Sequence, residues 1–279
     1  MNFEAIEGVE DSAHNFYFVS PLLLGQGGQT TIGHGTFSNG SVTNVALVNG
    51  LLPKPAPSGS RGITFDLFIT PDGNTLYFSD FMVKSGGAQF SVQGAQLAIA
   101  TRNVDGTFTR LSNSADILKN VNALGSLVYN ATPSADGLEL AFNASSSFPI
   151  PSHIYIATRT SPSAPFGNPQ LVAAADLDHG QLSEPGSFSP DGKYLYFHRV
   201  LGPSTSQIYV LTRQKTSVSH RVGKQLRISA GLRGCASIGF CKGSASSRLI
   251  SCKLIGAIDR DSLPLSAGGR VIRCGPRNG

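Results

Sequence analysis

The sequence predicts an all-β protein. It reads as a run of about four β-propeller blades over residues 1–213, each of four strands, ending in an irregular basic tail over 214–279. Three observations predict this. Thr-Arg pairs close successive copies of a repeat at 101–102, 158–159 and 212–213, spaced 57 and 54 residues apart. Each of these copies turns on an Asp-Gly step. Composition also breaks sharply after Arg213.

The elements follow in order. A partial copy comes first, with Phe16-Tyr17-Phe18-Val19-Ser20 and then Gly35-Thr36-Phe37-Ser38-Asn39-Gly40. It shows no inner strand of its own. The first full copy runs Thr64 to Thr70, Pro71-Asp72-Gly73, Leu76-Tyr77-Phe78 and Gln96 to Arg102. The second runs Leu127 to Pro133, Asp136-Gly137, Leu140-Ala141-Phe142 and His153 to Arg159. Its Pro133-Ser134-Ala135-Asp136 spacing puts two extra residues between proline and aspartate, which places the local turn in question. The third runs Glu184 to Ser189, Pro190-Asp191-Gly192, Tyr194-Leu195-Tyr196-Phe197 and Gln207 to Arg213.

Gly supplies the positive φ that a tight hairpin demands. The second strand of each copy is apolar at consecutive positions, as suits a strand buried on both faces between stacked blades. A fourth strand follows, with Phe108 or Phe166 near its start. A unit of this size cannot bury both faces alone, so such units are stable only when stacked. A closed ring usually takes about six blades. The sequence therefore reads as an open arc or a fragment, whose start at Met1-Asn2-Phe3-Glu4-Ala5 shows no secretory signal.

The Pro-Asp-Gly-x-x-Leu-Tyr-Phe run at 71–78, its variant at 190–197, and the Ile-Tyr-x-x-Thr-Arg runs at 154–159 and 208–213 resemble the TolB-like, WD40-like (PD40-repeat) propellers of bacteria. The resemblance covers residues 61–213 well and 1–60 loosely. It implies a bacterial repeat scaffold that binds proteins, in the periplasm or outside the cell. Propellers of this kind also gate prolyl oligopeptidases, so the resemblance implies a fold more than a function.

Composition bounds the rest. Charged residues make up 14% of the chain and glycine numbers 32, which favours short strands and many turns. No apolar run is long enough for a transmembrane helix. Residues 1–213 hold 10 Lys/Arg against 15 Asp/Glu, a net charge of −5, whereas 214–279 hold 12 against 2, a net charge of +10. All four cysteines (Cys235, Cys241, Cys252, Cys274) lie in the tail, 5, 10 and 21 residues apart, which does not match the paired short spacings of zinc sites. The tail is nearly free of the aromatic residues that stack on nucleic-acid bases. It is expected to add little to the core, and no nucleic-acid partner is expected.

Catalytic motifs do not emerge. There is no G-x-S-x-G elbow. Gly25, Gly27 and Gly28 do not form a phosphate loop, and the six histidines show no metal-ligand pairing. No cofactor and no metal site are expected. Arg102, Arg159 and Arg213 recur at equivalent positions, which argues for a structural task such as holding a neighbouring turn. The candidate binding site is geometric. The first strand of every blade lines the axis, and counting back from the turn prolines places Asp66, Asn130 and Glu184 on or near those strands, as exposed residues at a channel mouth.

Two functions stay open. One is a non-catalytic scaffold that binds a protein or glycan through the channel face or the blade edges. The other is a carbohydrate-active lyase or hydrolase built on the propeller, which needs more convergent acid–base groups than Asp66 and Glu184. Oligomeric state is not legible.

Overall fold

In the computed structural model the described residues are 7–20, 30–39, 41–51, 53–84, 91–146, 152–175, 182–202, 205–212 and the strand at 235–239. They form sixteen strands in four antiparallel meanders. The first blade comprises β1 (Glu7–Glu10), β2 (Asn15–Ser20), β3 (Thr31–Ser38) and β4 (Ser41–Leu47). The second comprises β5 (Ser60–Ile69), β6 (Thr75–Lys84), β7 (Ser91–Arg102) and β8 (Phe108–Arg110). The third comprises β9 (Leu127–Pro133), β10 (Glu139–Ser145), β11 (His153–Thr158) and β12 (Gln170–Leu171). The fourth comprises β13 (Ser183–Phe188), β14 (Tyr194–Gly202), β15 (Thr205–Thr212) and β16 (Cys235–Gly239). The all-β, four-stranded-blade expectation holds. Among the described residues no strand of the first blade pairs with the fourth.

Two expectations change. The first blade has its inner strand: β1 pairs with β2 from Glu7↔Val19 to Glu10↔Phe16. Its hairpin lacks the Asp-Gly signature because His14, at φ 64, takes the left-handed position. Histidine is among the residues that tolerate that region better than most. Asp11 closes this turn by accepting from the backbone N–H groups of Ala13 and Asn15, each at 2.9 Å.

The second change concerns the turn of the third blade, which is intact. Three turns are built identically around a hydroxyl residue and an aspartate. Thr70, Ser134 and Ser189 donate to Asp72, Asp136 and Asp191 at 2.5, 2.6 and 2.7 Å, and the N–H two residues after each aspartate returns to it at 3.0–3.1 Å. The operative motif is hydroxyl-x-Asp-Gly, in which Ala135 stands where Pro71 and Pro190 do. Pro133 is the last strand residue, opposite Leu140, as Ile69 is opposite Leu76 and Phe188 opposite Leu195. No insertion exists. The glycines at φ 72, 68 and 65 complete the turns, and at Gly73 a Cβ would lie 2.6 Å from the Asp11 carboxylate of the neighbouring blade.

The consecutive apolar strands are buried on both faces because successive side chains enter different inter-blade layers. Leu76 and Phe78 join Tyr17, Ile32 and Leu51 between blades one and two. Tyr77 faces the other way, joining Leu97, Val128, Leu140 and Phe142 between blades two and three. Ala141 joins Ile154, Leu195 and Phe197 between blades three and four. Two short helical turns, α1 (Ser114–Ile117) and α2 (Lys119–Asn122), which the repeat does not forecast, send Ile117, Leu118 and Val121 into the second of these layers.

Arg159 performs the structural task expected of the repeated arginines. Its Nε donates to Gly137 O at 2.7 Å, its Nη2 to Tyr77 Oη at 3.2 Å, and its guanidinium lies over Phe166. Arg213 lies outside the described residues, as does the tail apart from β16, which pairs with β15.

Candidate functional site

The inner strands β1, β5, β9 and β13 lie against one another in succession along the arc. Three of them carry a bulge at the same height. Asp66 and Leu67 together oppose Phe78, and Asn130 and Ala131 oppose Phe142. In β13 the extra residue is Gly186. A bulge bends its strand and re-aims a side chain. In the second and third blades the bulge residue sits in the left-handed region, Asp66 at φ 49 and Asn130 at φ 54, where Asp and Asn are the side chains best tolerated. Counted from the turn hydroxyl, Asp66 and Asn130 are equivalent, while the equivalent of both in the fourth blade is Pro185. Glu184 stands one place earlier, opposite His198.

Bulges leave backbone N–H groups without a ladder partner, and each must find another. Here the preceding blade supplies it. The Asn130 N–H donates to Ser79 Oγ at 3.1 Å. The N–H groups of Asp66 and Leu67 donate to the carboxylate of Glu7, on β1. Glu7 therefore has a local task, and it brings a second carboxyl against Asp66.

The electrostatics follow. Burial raises the Glu7 carboxyl to about 7; hydrogen bonds from Asp66 resist this, and the charge of Glu184 adds to it. Asp66 is raised well above the usual carboxylate range, by burial first and then by the charges of Glu7 and Glu184. Two carboxyl groups in hydrogen-bond contact and shielded from water cannot both ionise easily, so the pair holds a shared proton. Burial is the physical reason for the shift, and the channel-mouth expectation of exposed residues is corrected at Asp66. Its side chain is only 8% accessible, and its Oδ2 has no hydrogen-bond partner although the carboxyl contacts Glu7 and Ser79.

Glu184 is half-buried and pairs with His198 Nε2 at 3.1 Å. Asn130 is half-buried beside Asp66's partner Ser79. Tyr129 is buried, with its hydroxyl donating to Ser152 at 2.9 Å, and burial raises it above the ordinary phenol range, with the charges of Glu184 and Asp66 adding to the effect. Glu7 and Tyr129 thus belong to this place, although neither stands out in the sequence. Glu7 lies on a strand with no turn signature to count from, and Tyr129 reads as an ordinary aromatic strand residue. Among the described residues no three His, Cys, Asp or Glu side chains are arranged to hold a metal ion. The arrangement can hold one proton between two carboxyls and present concentrated negative charge from three blades.

No family model matches the chain. No curated protein matches it either. Solved structures similar to it include a puromycin-hydrolysing peptidase from Mycobacterium tuberculosis, at 15% identity over 74% of this chain with a TM-score of 0.37. They also include TolB from Acinetobacter baumannii, at 14% over 75% with a TM-score of 0.36. Prolyl oligopeptidase B from Galerina marginata is similar at 13% over 77%, again with a TM-score of 0.36. The chain spans 37%, 52% and 29% of the lengths of these three proteins.

Proposed function

We propose that the chain is a non-catalytic propeller scaffold that binds a protein or glycan partner where its inner strands converge, in the periplasm or outside the cell as its resemblance to TolB-like repeats implies. One observation carries the reading: carboxyl groups from blades one, two and four act on one another electrostatically at that convergence. Keeping such groups together and buried works against stability, and binding supplies a reason for them. Blade edges, with unpaired backbone groups, are the other surface such a scaffold can use. Among the described residues no helix is long and apolar enough to cross a membrane.

The test is a glycan and peptide array probed with the wild-type chain and with Glu7→Gln, Asp66→Asn and Glu184→Gln. A ligand lost in these variants at unchanged circular dichroism supports the reading; a ligand bound equally by all of them contradicts it.

A second reading is an enzyme acting on carbohydrate, favoured by a carboxyl raised to about 7, which is suited to general acid work near neutrality. Release of reducing or unsaturated sugar ends from a polysaccharide panel, lost in Glu7→Gln, would establish it.

A further inference from the structure

We propose that the convergence of Glu7, Asp66 and Glu184 is a receptor for one protonated amine or guanidinium group, carried by a lysine or arginine side chain or by a chain amino terminus of a protein partner. This deepens the binding reading above and rests on it.

An acidic cluster alone would not carry the inference; the state of Asp66 does. Its carboxyl is more than nine-tenths buried, it is in contact with Glu7, and its Oδ2 is left without a donor. A buried acceptor without a donor is costly, and the missing partner must be a hydrogen-bond donor that reaches the carboxyl pair. An ammonium or guanidinium group brings both donors and charge, and charge-assisted bonds to carboxylate are about twice as strong as neutral ones. A divalent metal ion is the weaker match, because the described residues do not arrange three ligands around one point. A neutral sugar hydroxyl could donate but would leave the like charges unbalanced.

The groups facing the site from each element are Glu7 on β1, Asp66 on β5, Tyr129 on β9, Glu184 on β13 and His198 on β14. The empty site keeps its proton between Glu7 and Asp66. When the cation enters, its own protons stay on nitrogen, both carboxyls ionise against it, and the shared proton leaves to solvent. Binding and proton release are therefore linked.

The experiment is calorimetric titration of the full chain with acetyl-Gly-Arg-Gly-amide, acetyl-Gly-Lys-Gly-amide and Gly-Gly-Gly-amide, with acetyl-Gly-Gln-Gly-amide as the neutral probe. Buffers of different ionisation heat count the protons released. The comparison of cationic probes identifies which source of positive charge fits. For a group titrating near 7, affinity is expected to rise about tenfold between about pH 6 and pH 8, with a proton released at the lower pH. Asp66→Asn is the chosen variant because Asn130 holds the same left-handed backbone in the next blade, so the fold is retained. Asp66→Asn and Glu7→Gln are each expected to weaken binding at least about tenfold and to abolish proton release.

Equal binding of the neutral probe, calcium binding in place of every cationic probe, or no cationic probe binding at millimolar concentration overturns the proposal. A glycan whose binding is lost in Asp66→Asn overturns it while leaving the inner-strand reading intact. Peptide binding indifferent to all three carboxyl variants overturns both.

Discussion

Two sets of carboxyl groups in this chain, on the turns and on the inner strands, are pushed in opposite directions by their surroundings. Asp72 and Asp191 sit on exposed hairpin turns. A hydroxyl from Thr70 lowers the first below the ordinary aspartate range; for the second the side chain of Lys193 leads, followed by Ser189. Asp66 and Glu7 sit on the inner strands, where burial and mutual repulsion raise both. The turn aspartates are stabilised as anions by donors that the repeat itself supplies. The inner carboxyls are held where their ionisation is opposed. The first arrangement serves folding, while the second asks for something the chain alone does not supply.

The comparison can be broken at the turns first. Gly73→Ala forces alanine to φ 72 with its Cβ 2.6 Å from Asp11 Oδ2, whereas Gly192→Ala at φ 65 meets nothing within 4 Å. Left-handed strain alone accounts for about 1–2 kcal/mol. Chemical denaturation should therefore show Gly192→Ala destabilised by about that amount and Gly73→Ala by at least about 1 kcal/mol more. Equal losses would mean that the blade-to-blade contact at Gly73 is not tight.

On the inner strand, Asp66→Ala should be less stable than Asp66→Asn by about 1–2 kcal/mol, since asparagine tolerates φ 49 and alanine does not. Two variants of equal stability would argue against the left-handed bulge.

The pH dependence sharpens the contrast further. A carboxyl whose folded pKa is raised binds its proton more tightly in the native state, so its contribution is present at low pH and lost as pH rises through the folded value. For Glu7 that window runs from 4.5 to about 7. The lowered turn aspartates contribute above their ordinary pKa of 3.8, and that contribution is lost as pH falls through their depressed values. Thermal melts of Glu7→Gln should accordingly lose the decline that wild type shows across 4.5 to 7 while keeping the loss in acid. A decline of unchanged size in the variant would place its source elsewhere.

The smallest expected effect is that of removing residues 214–279. Among the described residues this strips only β16 from the edge of the fourth blade, and edge pairing contributes less than the stacked layers. A loss as large as that of Gly73→Ala would show that the tail belongs to the core.

Much of this was legible in the residues themselves. The repeat, the Asp-Gly turns and the doubly buried strands are local patterns that survive without any knowledge of packing. Asp66, Asn130 and Glu184 are reachable by counting from the turns, although Pro133 misleads the count because it ends a strand instead of opening a turn. What counting cannot supply is the relation between blades. Glu7 meets Asp66 only because unpaired N–H groups at a bulge in one blade seek an acceptor in the blade before it.

The same limit shows in the fourth blade. Tyr194-Leu195-Tyr196-Phe197 has the doubly buried signature, yet Tyr194 is 38% exposed and Tyr196 half-buried, while Tyr77, the equivalent of Tyr196, is buried. Sequence shows that a strand is fit to be buried on both faces; only stacking shows whether a neighbour arrives.

The central claim is that inner-strand carboxyls from separate blades meet and share a proton. Titrating the side-chain carboxyl carbons by NMR tests it most directly. The account predicts that Glu7 titrates near 7 in the wild type and returns toward the ordinary value of 4.5 in Asp66→Asn. A Glu7 that titrates near 4.5 in the wild type, and does not move in the variant, would contradict it.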